Sequence, residues 1–200
     1  MPKCLKYFLQ LFAFILVIMN DKDDIVLVNE CLRGNSQAFE ILVDRYQKVI
    51  FNLAYRICND YSDAEDITQS AFIKVYRNLG KYNNRYKFFS WLYRIAINEA
   101  LNMMKIRKNT EQLNDHKTAV EPSPESQFQQ SETDRLIQNA LLSLKSEYRV
   151  VIVLKHFQNF SYLDIAHILK ISEKKVKSRL YTARQLLGEV LIRRGIIYNE

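Results

Sequence analysis

The stretch FSYLDIAHILKISEKKVKSRLYTARQLL, residues 160–187, decides the fold. It reads as two helices joined by a tight turn. Ser161 and Asp164 make an S-x-x-D start signal, in which a hydroxyl and a carboxylate take up free backbone N–H groups. Leu163, Ile165, Ala166 and Leu169 give the first helix an apolar face. Ile171 plugs the turn, and Ser172 caps the second helix. In that helix Val176, Leu180, Ala183 and Leu187 recur at helical spacing as one stripe to be buried. Lys174, Lys175, Lys177, Ser178, Tyr181, Thr182 and Arg184 are left outside. An apolar back with a basic, hydrogen-bonding front is what a helix-turn-helix needs to enter the major groove. An ordinary helical hairpin with a solvated lysine face has the same charges. The tight turn, the two start signals and the long basic front together favour DNA.

The rest of the chain agrees with an all-α protein. It has 200 residues, 48% of them hydrophobic, with only four Gly and three Pro. Helical spacing is common and strand-type alternation scarce. The net charge of +7 favours a polyanionic partner. The excess is uneven: Lys170 to Arg194 holds eight basic residues against two acidic ones. Cys4, Cys31 and Cys58 form no C-x-x-C pair, and His116, His156 and His167 are scattered. That pattern offers neither a metal site nor a disulfide framework, and it suits a reducing cytoplasm. No phosphate-binding G-x-x-x-x-G-K-[ST] and no nucleophile–base frame is present, so an enzyme is not expected, nor a cofactor or small-molecule substrate.

Four segments follow in order. Residues 1–22 are an extension whose run LKYFLQLFAFILVIM (5–19) is apolar but short for a span and broken by Lys6 and Gln10. It lacks a small-residue cleavage site. Translation from Met19 is the favoured reading, ahead of a membrane-touching segment and a signal peptide. Residues 23–108 read as a first helical domain. It has a short helix from Asp23 to Arg33 with Ile25, Val28 and Leu32 apolar, and a long helix capped by Asn35 or Ser36. A third helix is opened by a Ser62–Glu65 capping box, with Ala64, Ile67, Ala71, Val75 and Leu79 buried. A fourth runs from about Ser90 to Lys108. Residues 109–130, polar and acidic with Pro122 and Pro124, read as a flexible linker. Residues 131–195 form a second domain ending in the helix-turn-helix. Between the third and fourth helices, KYNNRYKFF (81–89) interleaves rings with cations, the composition that stacks unpaired bases and holds their backbone. Trp91 and one Phe are expected in the core, the other rings free.

These pieces resemble the bacterial RNA polymerase sigma factors of the extracytoplasmic-function (ECF) group. The resemblance rests on AFEILVDRYQ (38–47), DAEDITQSAFIKVYRNL (63–79), FSWLYRIAINEALN (89–102) and SYLDIAHILKISEKKVKSRLYTARQLL (161–187), in the family's order. It implies a transcription initiation factor that binds core RNA polymerase at the largest-subunit clamp and the flap, directs it to promoter DNA, and is held by an anti-sigma factor. It implies that Asp66, Gln69, Phe72 and Ile73 dock on the polymerase. Tyr82, Asn83, Asn84, Arg85, Tyr86, Lys87 and Phe88 would take and melt the −10 element. Lys174, Lys175, Lys177, Ser178, Arg179, Tyr181, Thr182 and Arg184 would read the −35 element. Ser70 stands where many relatives carry an acid, the loop lacks their glycine pattern, and Lys174-Lys175 replace a common Gly-Thr. The rival class is a helix-turn-helix regulator acting without polymerase. It leaves the docking helix and the aromatic loop unexplained.

Overall fold

The computed structural model describes residues 21–113 and 132–196, and within them every regular element is helical. The apolar run 5–19, and most of the predicted linker, lie outside the described residues. Among those described, no helix is long and apolar enough to cross a membrane.

The amino-terminal domain is four helices: α1 (Asp21–Leu32), α2 (Ser36–Cys58), α3 (Tyr61–Arg77) and α4 (Phe88–Leu113). Asn35 caps α2 by accepting from the Gln37 N–H, and Asn59 ends it in the left-handed region at φ 59°, which asparagine tolerates. Ala38, Leu42, Tyr46, Ile50, Leu53 and Ile57 are the buried stripe of α2. The start of α3 differs from the sequence reading. Its cap is Asp60, which accepts from the Asp63 N–H at 2.9 Å, and not a Ser62–Glu65 box. Asp60 stands nearer the sharp reversal at Asn59, so its carboxylate reaches the free N–H groups first. Ala64, Ile67, Ala71, Val75 and Leu79 are buried as expected. In α1 the buried face is Asp24, Leu27 and Val28, while Leu32 is exposed. Asp24 is tolerated there because Arg45 and the Tyr46 hydroxyl both donate to it.

The carboxy-terminal domain is α5 (Glu132–Leu142), α6 (Ser146–Ile152) continued by a wide turn over Val153–Phe157, α7 (Tyr162–Leu169) and α8 (Glu173–Arg193). The reciprocal capping box of Ser161 and Asp164 forms, and Ser172 caps α8 on the Lys175 N–H. Lys170 makes the turn at φ 53°. Val176, Leu180 and Ala183 are buried, with Leu187 half-buried at the end of the stripe. In α7 the inner face is Ile165, Ala166 and Ile168. Leu163, expected inside, is exposed.

The two domains pack on each other, which the sequence did not indicate. Phe89 of α4 and Phe160, just before α7, stack with centroids 5.2 Å apart and planes at 3°. Tyr93 meets Phe160 edge-on at 4.9 Å and donates its hydroxyl to Gln158 at 2.8 Å. Arg94 donates to the carbonyls of His167 and Ile168 at the end of α7.

Candidate nucleic-acid interface

Three surfaces carry the residues singled out in the sequence. The first is the outer face of α3. Asp66, Gln69 and Ile73 are exposed there, on the side away from the Ala64–Ile67–Ala71–Val75 stripe. Phe72 is not on that face; it is buried and meets Phe39 edge-on at 6.4 Å. Ser70 turns toward α4 and donates to Glu99 at 2.8 Å, and Lys74 binds the same carboxylate.

The second surface is the loop before α4. A 3₁₀ turn (Leu79–Lys81) leads into it. Asn83 takes the Arg85 N–H on its side chain, and the Tyr82 hydroxyl donates to the Tyr86 carbonyl, so the loop is drawn into a tight bend. Asn83, Asn84, Arg85, Tyr86 and Lys87 are exposed. Phe88 is buried at 1% exposure and Phe89 at 3%, so both are core, and Trp91 is half-buried. The correction follows from the start of α4 at Phe88, which turns that ring inward onto Tyr46 and Tyr82. Tyr82 is half-buried against Phe88 and Trp91. The most exposed ring of the loop is Tyr86, 54% exposed, with one edge against His167 of α7 at 5.8 Å between centroids. A cleft of about 330 Å³ opens beside the loop, lined by Tyr82, Asn83, Asn84 and by Ile25, Val28, Asn29 and Leu32 of α1. The α1 residues were missed because their spacing reads as an ordinary core stripe.

The third surface is α8. Lys174, Lys175, Lys177, Ser178, Tyr181 and Arg184 are exposed, and Thr182 is half-buried. Tyr181 is 68% exposed, unusual for so large a ring. Lys177 lies 2.7 Å from Glu173 one turn earlier, a hydrogen bond that raises the lysine pKa. Arg184 donates to Nε2 of His156 at 3.3 Å. Burial, then Arg184 and Lys155, hold that imidazole below its usual range. Arg179 departs from the group: it is half-buried and paired with Glu147 of α6 at 2.7 Å. Among the described residues no group of His, Cys, Asp and Glu side chains is placed to hold a metal.

Two sequence-family models match the chain: Sigma-70 region 2 over residues 42–110 and Sigma-70 region 4 over residues 134–187. The RNA polymerase sigma-H factor of Pseudomonas aeruginosa is 32% identical over 186 residues, covering 87% of this chain and 96% of that one. The ECF RNA polymerase sigma factor SigW of Bacillus subtilis is 34% identical over 176 residues, covering 82% and 94%. The chain belongs to the ECF sigma factors.

As a sigma factor it directs RNA polymerase to promoters. Its fold is also that of the solved sigma factor RpoE, in complex with the anti-sigma factor NepR from Bartonella quintana. That likeness has a TM-score of 0.63 at 25% identity and covers 76% of this chain and 96% of that one. The first family match takes in α3, the loop and the described part of α4 as far as residue 110. The second takes in α7 and most of α8. All three candidate surfaces of the sigma factor therefore fall within the matched regions.

Proposed function

We propose that this sigma factor divides promoter recognition among the three surfaces. Residues 23–108 act as the polymerase-docking and −10 domain, 109–130 as a linker, and 131–195 as the −35 domain. Asp66, Gln69 and Ile73 meet the largest-subunit clamp of the core enzyme, with Phe72 holding the face from beneath. Asn83, Asn84, Arg85, Tyr86 and Lys87 take the −10 strand, on a frame built by Tyr82 and Phe88. Lys177, Ser178, Tyr181 and Thr182 meet −35 base edges, and Lys174, Lys175 and Arg184 meet phosphates. Arg179 fixes α8 on α6. The flap is the second core contact.

The single observation that carries this reading is the exposure pattern of α8. A buried apolar back and an exposed front of cations, a hydroxyl and a ring stand on a properly capped helix-turn-helix. A sigma factor needs no covalent chemistry: its work is binding energy spent on unstacking bases, about a few kcal/mol per step. It acts without a cofactor or small-molecule substrate, in the cytoplasm where the polymerase is. An anti-sigma factor is its expected regulator, as RpoE is bound by NepR.

The test of the docking face is Asp66→Ala with Gln69→Ala, titrated against core polymerase. Both side chains are exposed, so the fold should survive with a change within about 0.5 kcal/mol. Affinity for core should fall about tenfold or more, since each tenfold corresponds to ~1.4 kcal/mol. Unchanged affinity would remove the assignment. In-vitro transcription with core enzyme on a promoter library separates a sigma factor from a regulator that footprints its operator alone.

A further inference from the structure

We propose that His156 joins the −35 surface as a cation: when α8 enters the groove, the imidazole takes up a proton and shares one backbone phosphate with Arg184, so that promoter binding is coupled to pH. This rests on the reading of α8 as the −35 surface.

His156 lies outside the recognition helix, in the wide turn Val153–Phe157 that follows α6. Val153 and Leu154 of that turn are buried, and Phe157 lies under the Arg56 guanidinium at 4.5 Å. His156 is left exposed, and its Nε2 accepts from Nε of Arg184, 28 residues further along the chain, at 3.3 Å. Arg184 is itself exposed on the basic front of α8. Among the described residues the charges bearing on the ring are both positive: Arg184 from α8 and Lys155 from its own turn. Lys155 is turned to α7, with Nζ 5.0 Å from the Tyr162 ring and donating to the Phe160 carbonyl at 3.1 Å. Lys177 of α8 reaches the same Tyr162 ring at 5.6 Å. The acids of these elements are engaged elsewhere: Glu147 with Arg179, Asp164 with Ser161, and Glu173 with Lys177. Glu189 follows Arg184 by more than a turn, on another face of α8. In the free protein, burial and the two cations therefore hold the imidazole neutral, below its usual range, and it serves only as an acceptor for Arg184.

A phosphate reverses this balance. Phosphates line both sides of the groove that receives a recognition helix, and Arg184 is one of the cations that meet them. An anion at Arg184 is also an anion at His156, since the two nitrogens are 3.3 Å apart. Its charge raises the imidazole pKa. The protonated ring has no acceptor left for Arg184, and both groups are then donors toward the same phosphate. A group with a higher pKa in the complex than in the free protein takes up a proton on binding, so affinity rises as pH falls. For one proton the gain is at most about tenfold per pH unit. The helical spacing of α8 gives no sign of this contact, because the histidine belongs to another element.

The test uses the full chain assembled with core polymerase, with promoter affinity measured from about pH 8 to about pH 6, across the histidine range. Each effect is read as the difference from His156→Gln, which keeps an acceptor for Arg184 but takes no proton, so the pH response of the core enzyme cancels. Relative to that variant, wild type should gain about threefold or more in affinity toward the acid end. Its salt slope should steepen there by up to about one unit, the mark of an added phosphate contact. A second readout uses the full chain alone with a saturating −35 duplex. The His156 ring signals in NMR, identified by their loss in His156→Gln, should titrate at higher pH with the duplex than without it. Equal pH responses and salt slopes in the two proteins overturn the proposal, and so does a His156 titration that the duplex leaves unmoved. Ser178→Ala separates the two levels. If it leaves the −35 preference unchanged, α8 is not the reader and the proposal falls with that reading. If it shifts the preference while His156→Gln responds to pH as wild type does, only the proton coupling is lost.

Discussion

Arg149 donates to the carbonyl of Ile57, across the whole length of the intervening chain, while the same guanidinium serves Leu141, Leu142 and Leu144 of its own domain. It is 5% exposed, and burial lowers its pKa without neutralising it. The planar fork satisfies the carboxy-terminal carbonyls of α5 that the helix itself cannot. Arg149→Met fills the space but removes the donor from the Ile57, Leu142 and Leu144 carbonyls, while Leu141 keeps the Leu144 N–H. It should destabilise the protein by about 3 kcal/mol or more, at ~1–3 kcal/mol for each buried group left unpaired. The melting temperature should drop by about 6–12 °C, as ~2–4 °C per kcal/mol is usual at this size. Calorimetry on both proteins decides it; a drop under 2 °C, on the order of the change from a single kcal/mol, would mean that water replaces the arginine.

The loop separates two kinds of aromatic residue. Tyr86→Ala, at an exposed ring, should keep the fold and slow open-complex formation on duplex promoters, with a loss of about 1–3 kcal/mol of stacking. A premelted bubble template should restore most of the rate. Phe88→Ala, at a ring buried against Tyr46 and Tyr82, should instead cost about 3–5 kcal/mol of stability. Its defect should be the same on both templates. Identical behaviour of the two variants would show that the exposed ring takes no part in melting.

On α8, Lys175→Ala should weaken every promoter alike and reduce the salt slope by about one unit, the signature of a lost phosphate contact. Ser178→Ala should change which −35 sequence is preferred, at about 1–3 kcal/mol for one position. A promoter library scored at two salt concentrations reads both. If Lys175→Ala reshuffles preference and Ser178→Ala merely scales activity, the helix enters the groove on another face.

His156 gives the −35 domain a pH dependence. Its Nε2 accepts from Arg184, so the imidazole must be neutral, and burial with Arg184 and Lys155 depresses its pKa in the folded chain. A depressed histidine contributes stability that is complete above its unfolded value near 6.5 and is lost as pH falls through the lower folded value. The melting temperature should therefore decline below pH 6.5 more steeply in wild type than in His156→Gln, which keeps an acceptor but does not titrate. Parallel declines would mean that other groups carry the acid sensitivity. Acidification should also release Arg184 from His156.

What was legible in the sequence was local. The helix-turn-helix, the capping box of Ser161 and Asp164, the Ser172 cap and the buried stripe of α8 depend on neighbours three or four residues away, and periodicity and capping chemistry report such neighbours. The same holds for the exposed polar face of α3 carrying Asp66 and Gln69. Tertiary structure decided where distant partners compete for one side chain. Phe72 and Phe88 sit beside surface residues in the sequence, yet Phe39 and Tyr46 of α2 take them into the core. Arg179 reads as one more cation of a DNA-facing helix, but Glu147 of α6 holds it half-buried. The seam of Phe89 with Phe160, and the Arg94 and Arg149 bonds that frame it, left no periodic signal at all. Each of those groups is a single residue on one domain whose partner lies on the other, and burial of such pairs is set by how the domains meet and not by the spacing along either helix.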